Sequence, residues 1–215
     1  MPRRSLADSL QTREAILARA VDLASVEGLA GLTIGRLSRA LPMSKSGLFA
    51  HFGSREELEL AVVEAAAAMF EREVLAGVDS APPALARLAN IALAWLGYIE
   101  KGLLRGGCFF AAVVPEIDDR PGRVRDRVAT LVTSWTDLLA VEAGRAIEEG
   151  HLSGEPEAGE VAFELHAFLQ EANRRFQLAG DAAVFAFAAR AIERLLAQSA
   201  TESGRSILAA CFGSR

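Results

Sequence analysis

Apolar residues recur at the period of the α-helix through almost the whole chain, and no stretch alternates at the period of two that a half-buried strand requires. That pattern excludes sheet architectures and leaves helices that must bury one another. Residues 9–27 set Ile16, Ala20, Leu23 and Ala24 along one face, with Leu17 and Val21 beside it. The glycines of EGLAGL (27–32) break this helix, and Thr33 is placed to cap a second, short one from Ile34 to Ala40. Pro42 disfavours helical backbone at Leu41 and ends it. Ser44 then caps a third helix whose inner side carries Leu48, Phe49 and Phe52. Gly53 closes that helix, and SREE (54–57) reads as a capping box opening a longer one to Ala76.

After the stretch GVDSAPPA (77–84), Pro82 and Pro83 suit the first turn of a helix running to Glu100. CFFAAVVPEI makes a short helix stopped by DDRPG. Val124, Val128, Leu131, Trp135 and Leu138 predict one long helix over 123–149, and two more follow over 158–179 and 181–199. The tail, 200–215, shows no period and is expected to be irregular. The fold class is therefore all-α. A three-helix head (1–53) is followed by a connecting helix (54–76), a helical bundle (77–199) and the tail.

Charge divides unevenly along this frame. The whole chain carries a net −5, yet residues 1–53 hold seven Lys/Arg against four Asp/Glu, a basic head on an acidic body. Such asymmetry is expected where one end meets a polyanion. The longest apolar run, LANIALAWLGYI (88–99), is shorter than the roughly 18 residues a membrane span needs. The N-terminus has no apolar stretch of the secretory kind. Cys108 and Cys211 lie far apart and outside metal-ligand spacing. A cytoplasmic protein with reduced thiols, no membrane partner and no metal is expected.

Two short helices joined by a tight turn, with a longer helix before them, form a helix-turn-helix unit. In a DNA-binding unit the second short helix enters the major groove by its first residues, which must be small or polar, while its inner face is apolar. SKSG followed by LF satisfies both demands. Lys45 adds charge, Gly47 permits close approach, and Thr33 and Ser44 set hydroxyls beside helix starts where a phosphate can dock. Arg36, His51, Ser54 and Arg55 lie on the neighbouring turns. Spacing alone is equally compatible with a small orthogonal helical bundle that never meets DNA. A helical small-molecule-binding protein or enzyme with a vestigial head is the alternative of a different class.

Residues 13–62 resemble, without a gap, the N-terminal domain of TetR-family transcriptional regulators; the likeness includes the Glu27-Gly28 break, Thr33, MSKSGLFAHF and SREEL. The remaining helices resemble that family's C-terminal domain in number and rough length. The resemblance implies that Ser44, Lys45, Ser46 and Gly47 begin the recognition helix. It implies that Thr33 and Arg55 stand at phosphate-contacting helix starts and His51 at a polar position near the backbone. Phe49 matches a position usually held by tyrosine, and keeps the ring while losing a hydrogen bond of about 1 kcal/mol. Pro42 stands where the family usually has glycine; proline cannot take positive φ, so the turn is expected to close with Leu41 extended. Arg3 and Arg4 are available for a minor-groove arm.

The resemblance also implies a homodimer on a palindromic double-stranded DNA operator, controlled by a small-molecule effector, most simply as a repressor. Trp95, Tyr98, Phe109, Phe110, Trp135, Phe163 and Phe168 are the large side chains available to line an effector cavity, which favours an apolar or aromatic effector. Asn173, Gln170 and His166 are candidates for its polar contacts. For the dimer, Val161, Leu165, Phe168 and Ala172 form one apolar stripe, and Val184, Ala188, Ala191 and Leu195 form another. Catalysis is not expected: the three histidines are scattered, no cofactor motif is present and the carboxylates sit on helical surfaces.

Overall fold

The computed structural model describes residues 6–41, 43–78 and 83–213. They form ten α-helices: α1 (Leu6–Glu27), α2 (Ile34–Ala40), α3 (Lys45–Phe52), α4 (Arg55–Phe70), α5 (Ala84–Glu100), α6 (Phe109–Ile117), α7 (Arg123–Glu148), α8 (Ala158–Ala179), α9 (Ala183–Ser199) and α10 (Glu202–Phe212). A π-helical turn, Glu71–Leu75, continues α4. The expected all-α class is the one observed. No helix among the described residues is long and apolar enough to cross a membrane.

The chain falls into two compact units that do not follow its linear order: Met1–Met69 with Leu104–Thr130, and Phe70–Leu103 with Leu131–Arg215. The division of the sequence at 53 and 77 is thus not the division of the packed structure, because residues 104–130 join the head.

In the first unit, α1 buries Ile16, Ala20, Val21 and Ala24 completely or nearly so. Gly28, at φ +68°, ends the helix as the sequence suggests. α6 packs along α1. The loop before it is tied down by polar contacts: the Arg105 guanidinium meets Asp22 at 2.9 Å, and the Gly106 amide donates to Ser25 Oγ at 3.1 Å. Gly106 lies so close to the Ser25 carbonyl that any Cβ there would overlap it.

In the second unit, α5 is the central helix, with eleven of its residues buried against the π-helical turn, α8, α9 and α10. Pro83 stands at the N-cap rather than inside the first turn, and Pro82 lies outside the described residues. The α5 start is satisfied by the Glu149 carboxylate, which accepts the Ala84 N–H at 2.8 Å. Glu142 is almost fully buried and paired with Arg87 and Arg145. α8 opens with a Glu157/Glu160 capping box, and Gly180 closes it at φ +68°.

The tail is not irregular. Thr201 caps α10 by accepting the Gly204 N–H at 3.2 Å, and Leu208 and Phe212 are buried. An isolated antiparallel bridge, Leu152–Ala200, leads into it. Two apolar residues one helical repeat apart suffice to dock a short helix, but they are too few to register as a period.

Candidate nucleic-acid interface

Each of the three hydroxyl caps predicted for the head, at Thr33, Ser44 and Ser54, is made. Thr33, in extended backbone, accepts the Arg36 N–H at 3.2 Å and opens α2. Leu37 is fully buried and anchors that helix inward. Leu41 follows in extended conformation, φ −126° and ψ 144°, as expected before a proline. Pro42 itself, like Arg3 and Arg4, lies outside the described residues. No non-glycine residue among those described has positive φ.

Ser44 opens α3: its Oγ accepts the Gly47 N–H at 3.2 Å and lies 3.1 Å from Ser46 Oγ. Both serines are exposed, whereas Leu48, one turn on, is 2% exposed. The helix therefore presents hydroxyls and free amides at its start and an apolar anchor behind them, an arrangement that accepts anions. Lys45 and Phe49 are described by their backbones alone. Near the C-terminal end, the Arg13 guanidinium of α1 stacks 5.1 Å over the Phe52 ring, and His51 is half-buried beside it.

Ser54 caps α4 by accepting the Glu57 N–H at 3.1 Å. The expected capping box is not what the Glu57 carboxylate serves: the Ser54 amide donates to the Phe52 carbonyl, and Glu57 pairs with Arg123 at 2.7 Å. A partner 66 positions away is invisible to a local motif. Two expected phosphate ligands are likewise engaged inside the chain. Arg36 pairs with Glu27, and Arg55 pairs with Glu59 at 2.7 Å while its other nitrogen lies 3.5 Å from the Leu29 carbonyl. Arg39, absent from the expected set, is exposed in the last turn of α2 and has no ion pair among the described residues. Its only signal in sequence is a charge without a nearby acid in its own helix.

A cleft of about 370 Å³ opens in this same unit beside the α4 start. Its lining includes Leu29, Arg55, Glu59, Glu116, Arg120 and Arg123, so ion pairs and not aromatic rings define it.

The expected effector-lining residues separate. Phe109 and Phe110 meet edge-to-face at 5.3 Å in the first unit. Trp95 and Tyr98 are buried in the second, where the Phe70 ring stands edge-on to Tyr98 at 6.1 Å and to Trp135 at 5.1 Å. Trp135 Nε1–H donates to His166 Nδ1 at 3.0 Å, and burial pushes the His166 pKa below its ordinary value. Asn173 is buried, while Phe168 and Gln170 are half-buried. Phe163 is corrected: at 74% exposed it lines no interior space. Among the described residues no group of three His, Cys, Asp or Glu could hold a metal ion.

Most residues of the expected dimer stripes are covered within the chain itself. Val161, Leu165, Ala172, Val184, Ala188 and Leu195 are buried within their own chain, on helices that pack on each other and on α5. Phe168 and Ala191 are half-buried. The apolar side chains left in solvent on α8 and α9 are Phe163, Leu178 and Phe187, with exposed Ala167 and Ala186 on the same two helices.

Comparison with known proteins agrees with this geometry. The family model for bacterial regulatory proteins of the tetR family matches residues 16–62. The model for the tetracyclin repressor-like C-terminal domain matches residues 84–192. No curated protein matches the chain. A TetR transcriptional regulator from Chloroflexus aurantiacus is 24% identical with a TM-score of 0.83, covering 91% of this chain and 98% of that one. A TetR-family regulator from Cytophaga hutchinsonii is 20% identical, TM-score 0.79, covering 93% and 100%. AibR, solved in complex with isovaleryl coenzyme A and operator DNA, is 21% identical, TM-score 0.70, covering 85% and 96%. At such identities the solved structures speak for the fold; the two family models speak for descent. With one model on the head and the other spanning half of its length, the chain belongs to the TetR family of bacterial transcriptional regulators.

Proposed function

We propose that the protein is a ligand-responsive repressor that binds a palindromic operator as a homodimer in the cytoplasm and is released by a small apolar or aromatic effector. The observation that carries the DNA reading is the start of α3. Ser44 and Ser46 are exposed and mutually hydrogen-bonded, and Ser44 caps Gly47, while Leu48 anchors the helix from behind. Such a start offers small polar groups to base edges and phosphates. Lys45 joins them, and Thr33, Arg36, Ser54 and Arg55 supply the flanking phosphate contacts once the two arginines exchange their carboxylates for phosphate.

The effector reading rests on the ring cluster of Phe70, Tyr98 and Trp135 in the unit that also buries Trp95, with His166 bonded to Trp135 and with buried Asn173 as a second polar group. AibR, of the same fold, was solved with a small ligand and operator DNA together, which makes dual binding a reasonable reading for this chain. An effector releases DNA only by binding the non-binding conformation more tightly. The homodimer is supported by the exposed apolar face on α8 and α9. A two-fold dimer sets its recognition helices about 34–36 Å apart, on half-sites one helical turn from each other.

The test is selection of duplexes from a random pool by the purified protein, followed by gel shift. A palindromic consensus bound with a log–log salt slope of about −0.9 per phosphate contact is expected. Lys45→Ala is expected to weaken binding. Absence of any enriched duplex, or a Lys45→Ala protein with unchanged affinity and preference, sinks the placement of α3 on DNA.

A further inference from the structure

We propose that Arg123 is a positioning residue of the DNA interface: it offsets one of the two negative charges of Glu56 and Glu57 at the start of α4, and without it that start repels DNA phosphate more strongly. The inference rests on the DNA-binding reading above. Arg123 Nη1 lies 3.1 Å from Glu56 Oε2 and 2.7 Å from Glu57 Oε1, bridging both acids with one guanidinium. The two acids occupy the first turn of α4. Glu57 also gives its amide to Ser54 Oγ, so the pair is one turn from a hydroxyl expected to meet phosphate and follows directly on the end of α3.

Stability does not explain this arrangement. All three side chains are about half exposed or more, and exposed ion pairs add little to stability. Charge placement does explain it. Acids in a first turn favour the helix macrodipole, but the same two charges stand against a polyanion docked within a Debye length of about 8–10 Å. α4 carries four glutamates and a single arginine, directly behind a head whose excess charge is positive. Arg127, one turn on from Arg123, treats a further acid of α4 alike, in a bidentate pair with Glu64 at 2.5 and 2.9 Å. The hydrogen bonds that Arg123 donates to Glu57 and then Glu56 push its pKa further up, in keeping with a guanidinium that stays charged. Arg123 is also the first residue of α7, so a shift of that first turn withdraws the guanidinium and uncovers both acids at once.

The experiment measures affinity for the duplex that the wild-type protein selects from a random pool. The proteins compared are wild type, Arg123→Ala, Arg123→Lys, Glu56→Gln/Glu57→Gln and the triple variant combining Arg123→Ala with both glutamines. Arg123→Ala is expected to bind roughly five- to tenfold more weakly at about 50 mM salt and nearly normally at high salt, with unchanged sequence preference. Arg123→Lys is expected to stay near wild type, because charge suffices. In the glutamine background the loss of Arg123 is expected to cost less than about twofold, since no acid remains to be masked. The inference is overturned if Arg123→Ala binds like wild type, if Lys fails as badly as Ala, or if the cost is the same in the glutamine background. A wild-type protein that selects no duplex defeats the DNA reading itself, a result distinct from all of these.

Discussion

Glu116, near the C-terminal end of α6, accepts the backbone N–H of Ala30 at 2.7 Å and at the same time fills the space beside Gly28 where a Cβ would stand. One carboxylate from residues 104–130 thus satisfies the turn between α1 and α2, the turn that sets where Thr33 begins the helix-turn-helix. Gly28 is doubly constrained, by its φ of +68° and by this carboxylate. Glu116→Ala removes a charge-assisted hydrogen bond and is expected to cost about 1.5–3 kcal/mol. Gly28→Ala is expected to cost at least as much, because it adds backbone strain to the loss of the carboxylate's position. Urea denaturation followed by circular dichroism checks both, and a Glu116→Ala midpoint equal to wild type would show that water replaces the bond at no cost.

The fold was legible where chemistry is local. Thr33, Ser44 and Ser54 each cap a helix because a hydroxyl reaches an amide three residues on, and sequence spacing records that reach. It fails where the partner is remote. Glu57 has the spacing of a capping box, yet Arg123 offers its carboxylate a full charge. The apolar stripes of α8 and α9 were real, but amphipathicity says only that a face is covered. Here α5 and the two helices themselves supply the cover, leaving Phe163 and Phe187 as the outer surface. The recognition helix was readable because its demands are chemical; the assignment of residues 104–130 to the head was not, because Arg105–Asp22 and Glu116–Ala30 join positions more than eighty residues apart.

Gly204 tests how α10 docks. A Cβ there would overlap the carbonyl oxygen of His151, a backbone atom unable to move aside. Gly204→Ala is expected to destabilise by about 1–3 kcal/mol through overpacking. Thr201→Ala loses the α10 cap and its bond to the Gly150 carbonyl at 2.9 Å, for about 1 kcal/mol. Gly159→Ala in α8 is the control, since a Cβ there meets nothing within 4 Å, and it is expected to be neutral or slightly stabilising. Equal urea midpoints for Gly204→Ala and Gly159→Ala would mean that α10 is not held against the His151 carbonyl.

His166 gives the second unit a pH dependence of known sign. Burial lowers its pKa in the folded state, and its Nδ1 is occupied as the acceptor of the Trp135 N–H. The unfolded chain therefore binds the proton more readily. The stabilising contribution is complete above the unfolded value near 6.5 and is lost as pH falls from there through the folded pKa. His166→Gln keeps an acceptor for Trp135 without titrating. The difference in Tm between variant and wild type is expected to favour the variant progressively as pH drops from 7 to about 5. A difference that stays flat across that range would show that protonation of His166 is not linked to folding.

Phe163, Leu178 and Phe187 are 74%, 80% and 49% exposed, large apolar side chains in water on two adjacent helices. Fully burying a side chain of this size contributes roughly 1.5–3 kcal/mol, and a two-fold interface buries each residue twice. The Arg190 guanidinium already stacks 5.2 Å over the Phe187 ring, and Arg174 is held by Glu171 through two 2.8 Å contacts, so these two arginines are engaged within the chain. Phe163→Glu is expected to place two like charges in the homodimer interface and to shift the protein toward monomer at micromolar concentration. Val161→Ala is expected to lower stability by creating a cavity of one branched side chain, without changing the oligomeric state, because Val161 is buried inside its own chain. Light scattering coupled to size exclusion separates the two effects. A dimer that survives Phe163→Glu intact, or a wild-type protein that runs as a monomer, removes this face as the homodimer surface.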